Sequence, residues 1–201
     1  MTIDKIIGII LSITSLLLII CILFKKKEPF FNFREIVKNH LHLFSNCKSQ
    51  YFIFYVLPVF LSVGISLLFS ANAAFFSHLG VVLSIILSML LALLAMLSGY
   101  DFSKFEDDEQ RNTAETTVKQ TINAILFCCI IGIVLLLIGF FVIATSGKSV
   151  EWIPLDINIC KIVVSAFSYY LFIVVLLNLL LIIKNMSKII EAKMLIERNR
   201  K

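Results

Sequence analysis

An all-helical protein that crosses a membrane several times is what this sequence predicts, on three observations. The 201 residues are 60% apolar and 15% charged, against roughly 25% charged in an ordinary globular domain, and the mean hydropathy is +0.99. The charges are segregated into short stretches between long apolar runs, such as the uncharged Ile6–Phe24. Those runs approach the roughly 20 residues that a helix needs to cross about 30 Å of hydrocarbon. Of the 18 Lys and Arg residues, 15 fall in alternate segments and three in the others. Lys and Arg beside spans resist translocation. The split therefore predicts five transmembrane helices, with the N-terminus outside and the C-terminus cytoplasmic. A cleaved or peripheral first segment leaves four as the alternative. The whole chain reads as one helical membrane domain, 1–201.

The first span covers about 3–24. The basic cluster Lys25-Lys26-Lys27 follows the apolar run rather than preceding it, and no small-x-small cleavage site is present, so it reads as an uncleaved anchor rather than a signal peptide. The cytoplasmic segment 25–50 comes next. Its Lys25, Lys26, Lys27, Arg34 and Lys38 suit anionic headgroups. Within it, 30–44 has an amphipathic stripe: Phe33, Ile36, Val37, His40, Leu41 and Phe44 recur at helical spacing opposite Arg34, Glu35, Lys38 and Asn39. This predicts an interfacial helix in the headgroup layer, either a gating or sensing element or an elbow between spans.

The second and third spans cover about 51–70 and 79–98, joined by an outer link over 71–78. Pro58 removes one backbone hydrogen bond inside the second. Each span carries small residues four apart: Ser62, Ser66, Ser70 and Ala74, then Gly80, Ser84, Ser88 and Ala92. Small-xxx-small faces let backbones approach closely in lipid. The two ladders are expected to pack on each other as a hairpin, or on copies of themselves in an oligomer; a serine-lined pore is the other reading.

The cytoplasmic segment 99–121 sets six acids against three bases. Its Ser103-Lys104-Phe105-Glu106 has the capping-box pattern. A helix starting there puts Glu106, Asp107, Asp108 and Glu109 in its first turns, where carboxylates suit the dipole, and pairs Glu115 with Lys119. It should run on into the fourth span, about 122–145, which holds Gly132 and Gly139 seven apart. The fifth span covers about 161–183. Its strongly polar Asn178 needs a partner, expected on another helix. The segment 184–201 carries six bases against two acids, including Lys188 and Lys193, and its apolar stripe continues the fifth helix into the cytosol.

The residues predict no catalytic, cofactor or metal site. No ionisable group lies at depth in an apolar run, which argues against ion-coupled carriers. Four consecutive acids suggest a cation, yet no EF-hand loop surrounds them. The cysteines lack zinc-ligand spacing, and no nucleotide-binding or hydrolase motif occurs. A hydrolase from His40, Asp101 and Asp107 is a much weaker alternative. The basic residues sit beside span ends, so no direct nucleic-acid binding is expected.

In size, span layout and Ile/Lys/Asn-rich style, the chain resembles the membrane subunits of bacterial anti-phage defence systems, such as the Kiwa membrane subunit. That family pattern has four spans against the five read here. The resemblance implies a multi-pass protein of the bacterial plasma (inner) membrane that works with a soluble cytoplasmic partner in antiviral defence. It assigns no residue a role. The residues themselves point to a non-enzymatic anchor or sensor that forms homo-oligomers and docks a cytosolic protein. Partner docking is expected at Glu106, Asp107, Asp108, Glu109, Lys188 and Lys193, where opposite charges share one membrane face. A holin-like depolarising pore, and a small transporter or immunity protein with a lipophilic ligand, are the alternatives.

Overall fold

The structure is a computed structural model that describes residues 14, 33–43, 48–69, 71–102, 105, 108–145 and 157–199. The regular elements among the described residues are helical. They are α1 (Phe33–Leu43), α2 (Lys48–Tyr51), a π-helical turn (Phe52–Val56), α3 (Leu57–Leu68), α4 (Ala73–Ser98), α5 (Asp108–Thr145) and α6 (Ile157–Asn199). Three of them, α4, α5 and α6, are long and apolar enough to cross a membrane, and Phe52–Leu68 is a shorter apolar helix. The expected first span, 3–24, lies outside the described residues apart from Thr14.

The helices form a row in which consecutive elements are not always neighbours. α5 packs on both α4 and α6, α3 packs on α6, and α1 lies against α5. The row therefore runs α4–α5–α6–α3. The expected hairpin between the second and third spans does not form, because the two helices choose different faces. On α3 the small face wins: Pro58, Ser62 and Ser66 are its buried residues, and it sits against α6. On α4 the large face wins: Phe76, Leu79, Leu83, Leu90 and Leu97 are buried, whereas Ser84 and Ser88 are exposed. The holes that receive this face are glycines of α5. Leu87 fills the space over Gly132, and Phe76 that over Gly139.

Two buried clusters run along the seams. At one end Phe76, Leu79 and Leu83 meet Leu135 and Leu171; toward the other, Leu90 and Leu97 meet Ile125, Cys128, Ile182 and Ile189. The outward faces stay apolar, with Leu68 76% and Phe60 69% exposed. A soluble protein does not leave such a belt to water; a membrane protein presents it to lipid.

Helix ends follow local chemistry. α4 begins at Ala73, six residues before the expected span start, because the Asn72 side chain accepts a hydrogen bond from the Phe75 N–H at 2.8 Å. Most of the expected outer link is thereby helical. The remaining link is tied down where the Ala71 N–H donates to Ser165 Oγ at 2.9 Å. Pro58 has no N–H to donate, and just before it the Leu57 N–H reaches back five residues to the Phe52 carbonyl. That is the wide turn a missing donor permits. α5 is continuous through the fourth apolar run, and α6 through the fifth into the basic segment, as the sequence predicts; α5 starts at Asp108 rather than at the expected Ser103 cap, with Phe105 outside any helix.

Candidate functional site: the polar end of the helical body

α5 has 38 residues and α6 has 43. At about 1.5 Å per residue they measure about 57 and 64 Å, roughly twice the hydrocarbon thickness. The excess lies at one end. There the two extensions meet at Val118 of α5 and Ile189 of α6, which share one buried cluster. Ala114 and Val118 form the inner face of the α5 extension. Asn112, Thr113 and Thr116 face outward. The hydroxyls of Thr113 and Thr117 donate to backbone carbonyls four residues back. Lys119 pairs with Glu115 at 2.6 Å and holds that carboxyl below its ordinary range. The pair is solvent-exposed and adds little to stability.

Of the expected docking residues, Asp108 and Glu109 occupy the exposed first turn of α5, and Lys188 and Lys193 are exposed on α6. The structure thus places an acidic helix start and a basic helix end on paired neighbours. Glu106 and Asp107 lie outside the described residues, as do Lys25, Lys26, Lys27 and Ser70. Arg34 lies in α1, and Lys38 is exposed on it. Among the expected helix-packing residues, Ser62, Ser66 and Asn178 are buried and Gly80 is half-buried. Ser62 and Ser66 donate to carbonyls three residues back, at 2.9 Å each. Ser84 and Ser88 likewise donate to carbonyls of their own helix, at 2.8 Å, so their hydroxyls are satisfied on an exposed face.

A second feature lies at His40, which the sequence places on the stripe of α1 and in the weak hydrolase alternative. His40 of α1 is 0% exposed. Its ring stacks on Phe127 of α5 with centroids 4.0 Å apart and planes inclined by 16°. Asn178 of α6 is its polar neighbour. The amide Nδ2 of Asn178 donates to the Val174 carbonyl at 2.9 Å, while its Oδ1 has no other partner. His40 therefore reaches the α5–α6 seam. Burial pushes its pKa down to about 4, because the interior penalises the charged ring. The sequence signal was the place of His40 on the apolar stripe of α1, which implies that this face is covered.

His40 is shielded from solvent while Asp101 is exposed, and Asp107 lies outside the described residues. Among the described residues no group of three or more His, Cys, Asp or Glu is placed to hold a metal ion. Cys128 and Cys129 are free thiols, the first buried and the second half-buried. The chain matches no protein-family model, no curated protein and no solved structure.

Proposed function

We propose that this chain is a non-enzymatic, multi-pass protein of a bacterial plasma membrane that docks a cytosolic protein, serving as a membrane anchor or sensor in antiviral defence. Its topology is five spans, N-terminus outside and C-terminus cytoplasmic, with α1 at the inner interface. The observation that carries the reading is the paired extension of α5 and α6 well past a bilayer's thickness. A helix that only needed to span would end near its apolar run; these two continue, packed together, and present opposite charges.

The test is gentle solubilisation of tagged protein from its native membrane, then sizing and mass spectrometry of what elutes. A soluble protein should co-elute. It should be lost when Glu106, Asp107, Asp108 and Glu109 are neutralised, or when Lys188→Gln and Lys193→Gln are combined. Raising salt from about 0.15 to 1 M, which shortens the Debye length from about 8 to 3 Å, should weaken the complex. A homo-oligomer with no soluble partner would sink this reading. The second reading is then a pore built by copies of the chain, favoured by the exposed small-residue face of α4 around Ser84 and Ser88. Conductance of reconstituted protein decides it.

A further inference from the structure

α4 and α5 do not close on each other along their whole length. Toward the start of α4 they leave an apolar cleft of about 520 Å³, which runs from Phe76 to Ile85 along α4 and from Leu135 to Ile143 along α5. Gly80 gives it depth, since a Cβ there would come within 4 Å of Leu136 Cδ2 alone, at 3.9 Å. The rim is open, with Phe140 66% and Val81 62% exposed. Ser84 also lines the cleft, and its hydroxyl donates to the Gly80 carbonyl at 2.8 Å, so this side chain asks for no polar ligand. We propose that the cleft is a lipid subsite that holds one acyl chain of a membrane phospholipid.

Length identifies the occupant. The stretch from Phe76 to Ile85 rises about 13.5 Å, and a hydrocarbon core of about 30 Å gives each leaflet about 15 Å. Phe76 lies in the first turn of α4 and Ile143 in the last turn of α5. Ile85 and Leu135 lie near the middle of the same two apolar runs. On both helices the cleft therefore runs from the water end to about the midplane. It is one leaflet long, which is the reach of a single acyl chain. The topology proposed above makes this the outer leaflet. Ser77, in the lining next to Phe76, brings a hydroxyl to the water end, where a phospholipid carries its esters and headgroup.

A gap of this size between helices is filled by what surrounds it. Unfilled, its lining forfeits dispersion contacts along the whole length. Water gains nothing there, because an apolar cavity stays dry. Lipid chains are the medium at this depth. A helix is too bulky for the slot. With side chains it is about 10–12 Å across, so one turn of about 5.4 Å fills roughly 420–610 Å³. The cleft has room for about one such turn, whereas a flexible chain threads it from end to end. Gly80 and Ser84 acquire a role in this way. Small residues often bring helix backbones together in lipid; these two keep a chain-wide slot open beside a seam that the large face of α4 closes.

The experiment uses full-length protein in phospholipid nanodiscs doped with a phosphatidylethanolamine that carries a photoactivated diazirine halfway along one acyl chain. The carbene inserts into nearby C–H bonds, and adducts are mapped by peptide mass spectrometry. Phe60 of α3, 69% exposed, is as far from the end of its helix as Val81 is from the start of α4. It meets bulk lipid at a similar depth and serves as the internal reference. Adducts at Val81 and Phe140 are expected several-fold above those at Phe60. Gly80→Leu fills the slot and should bring them down to the reference without changing Phe60. Ser84→Leu, at an exposed position outside the packed seam, should do the same and covers a folding failure of Gly80→Leu. Nanodiscs offer lipid in both leaflets, so the result depends neither on the topology nor on the docking function proposed above. Wild-type labelling equal to the reference overturns the subsite and leaves bulk lipid only. Labelling below the reference also overturns it, and assigns the cleft to a helix of a second copy or of another segment. So does enhanced labelling that survives both filling variants.

Discussion

Single side chains decide how closely these helices approach. A Cβ on Gly132 would meet Leu87 Cδ2 at 3.0 Å, and one on Gly139 would meet Phe76 Cδ1 at 3.2 Å; on Gly80 the nearest neighbour, Leu136 Cδ2, is 3.9 Å away. Gly139→Leu should therefore overpack the α4–α5 seam and cost about 1–3 kcal/mol. Gly80→Ala has room and should be neutral or stabilising by up to about 1 kcal/mol. Thermal unfolding in mild detergent orders the two, and equal melting temperatures would refute the knob-and-hole account. The seven-residue spacing of Gly132 and Gly139 was legible in the sequence; that Phe76 and Leu87 fill those holes was not, since nothing local names the partner helix. His40 was legible as a stripe residue, and its burial follows only once α5 supplies Phe127.

At the scale of elements, the helix starts and continuations came from short-range chemistry. Asn72 caps α4 through a bond to the third residue on, a contact that depends on local backbone alone. Asn72→Ala should cost about 1 kcal/mol and fray residues 73–76, while Asn72→Ser, also a good cap, should retain most of the stability. Amide hydrogen exchange over that first turn checks it, and identical protection in all three proteins would show that the cap is dispensable. The small-residue ladders show where local reading stops. Ser62 and Ser66 do line a packed face, but its partner is α6. Ser84 and Ser88 lie outside the packed seam, because a stripe of Phe76, Leu79, Leu83, Leu90 and Leu97 offers more buried surface to α5. Small size permits close approach; it does not say which of two available faces is used.

At the scale of the whole molecule, the helical row with its apolar outer belt and two overlong helices makes a body with a polar stalk at one end. The proposed topology, drawn from the distribution of basic residues, has that end in the cytoplasm. A fluorescent protein fused after Lys201 should fluoresce. Alkaline phosphatase fused after Lys148 should be active, and the same enzyme fused after Lys201 inactive. The reverse pattern would invert the topology and move the stalk, with any partner, to the other face.

Composition, charge segregation and apolar run length by themselves determined that this is a helical membrane protein, because each depends on the transfer of individual residues between water and lipid. The continuation of the fourth and fifth apolar runs into polar helix was equally readable, since propensity and apolar periodicity act within a few turns; the starts at Asp108 and Ile157 were not. Neighbours were decided only in three dimensions. The α4–α5–α6–α3 order, the separation of α3 from α4 and the insertion of His40 between Phe127 and Asn178 depend on complementary shape across residues far apart in sequence. Lipid is as apolar as leucine, so the hydrophobic effect cannot choose among helix pairs; close packing of particular side chains does.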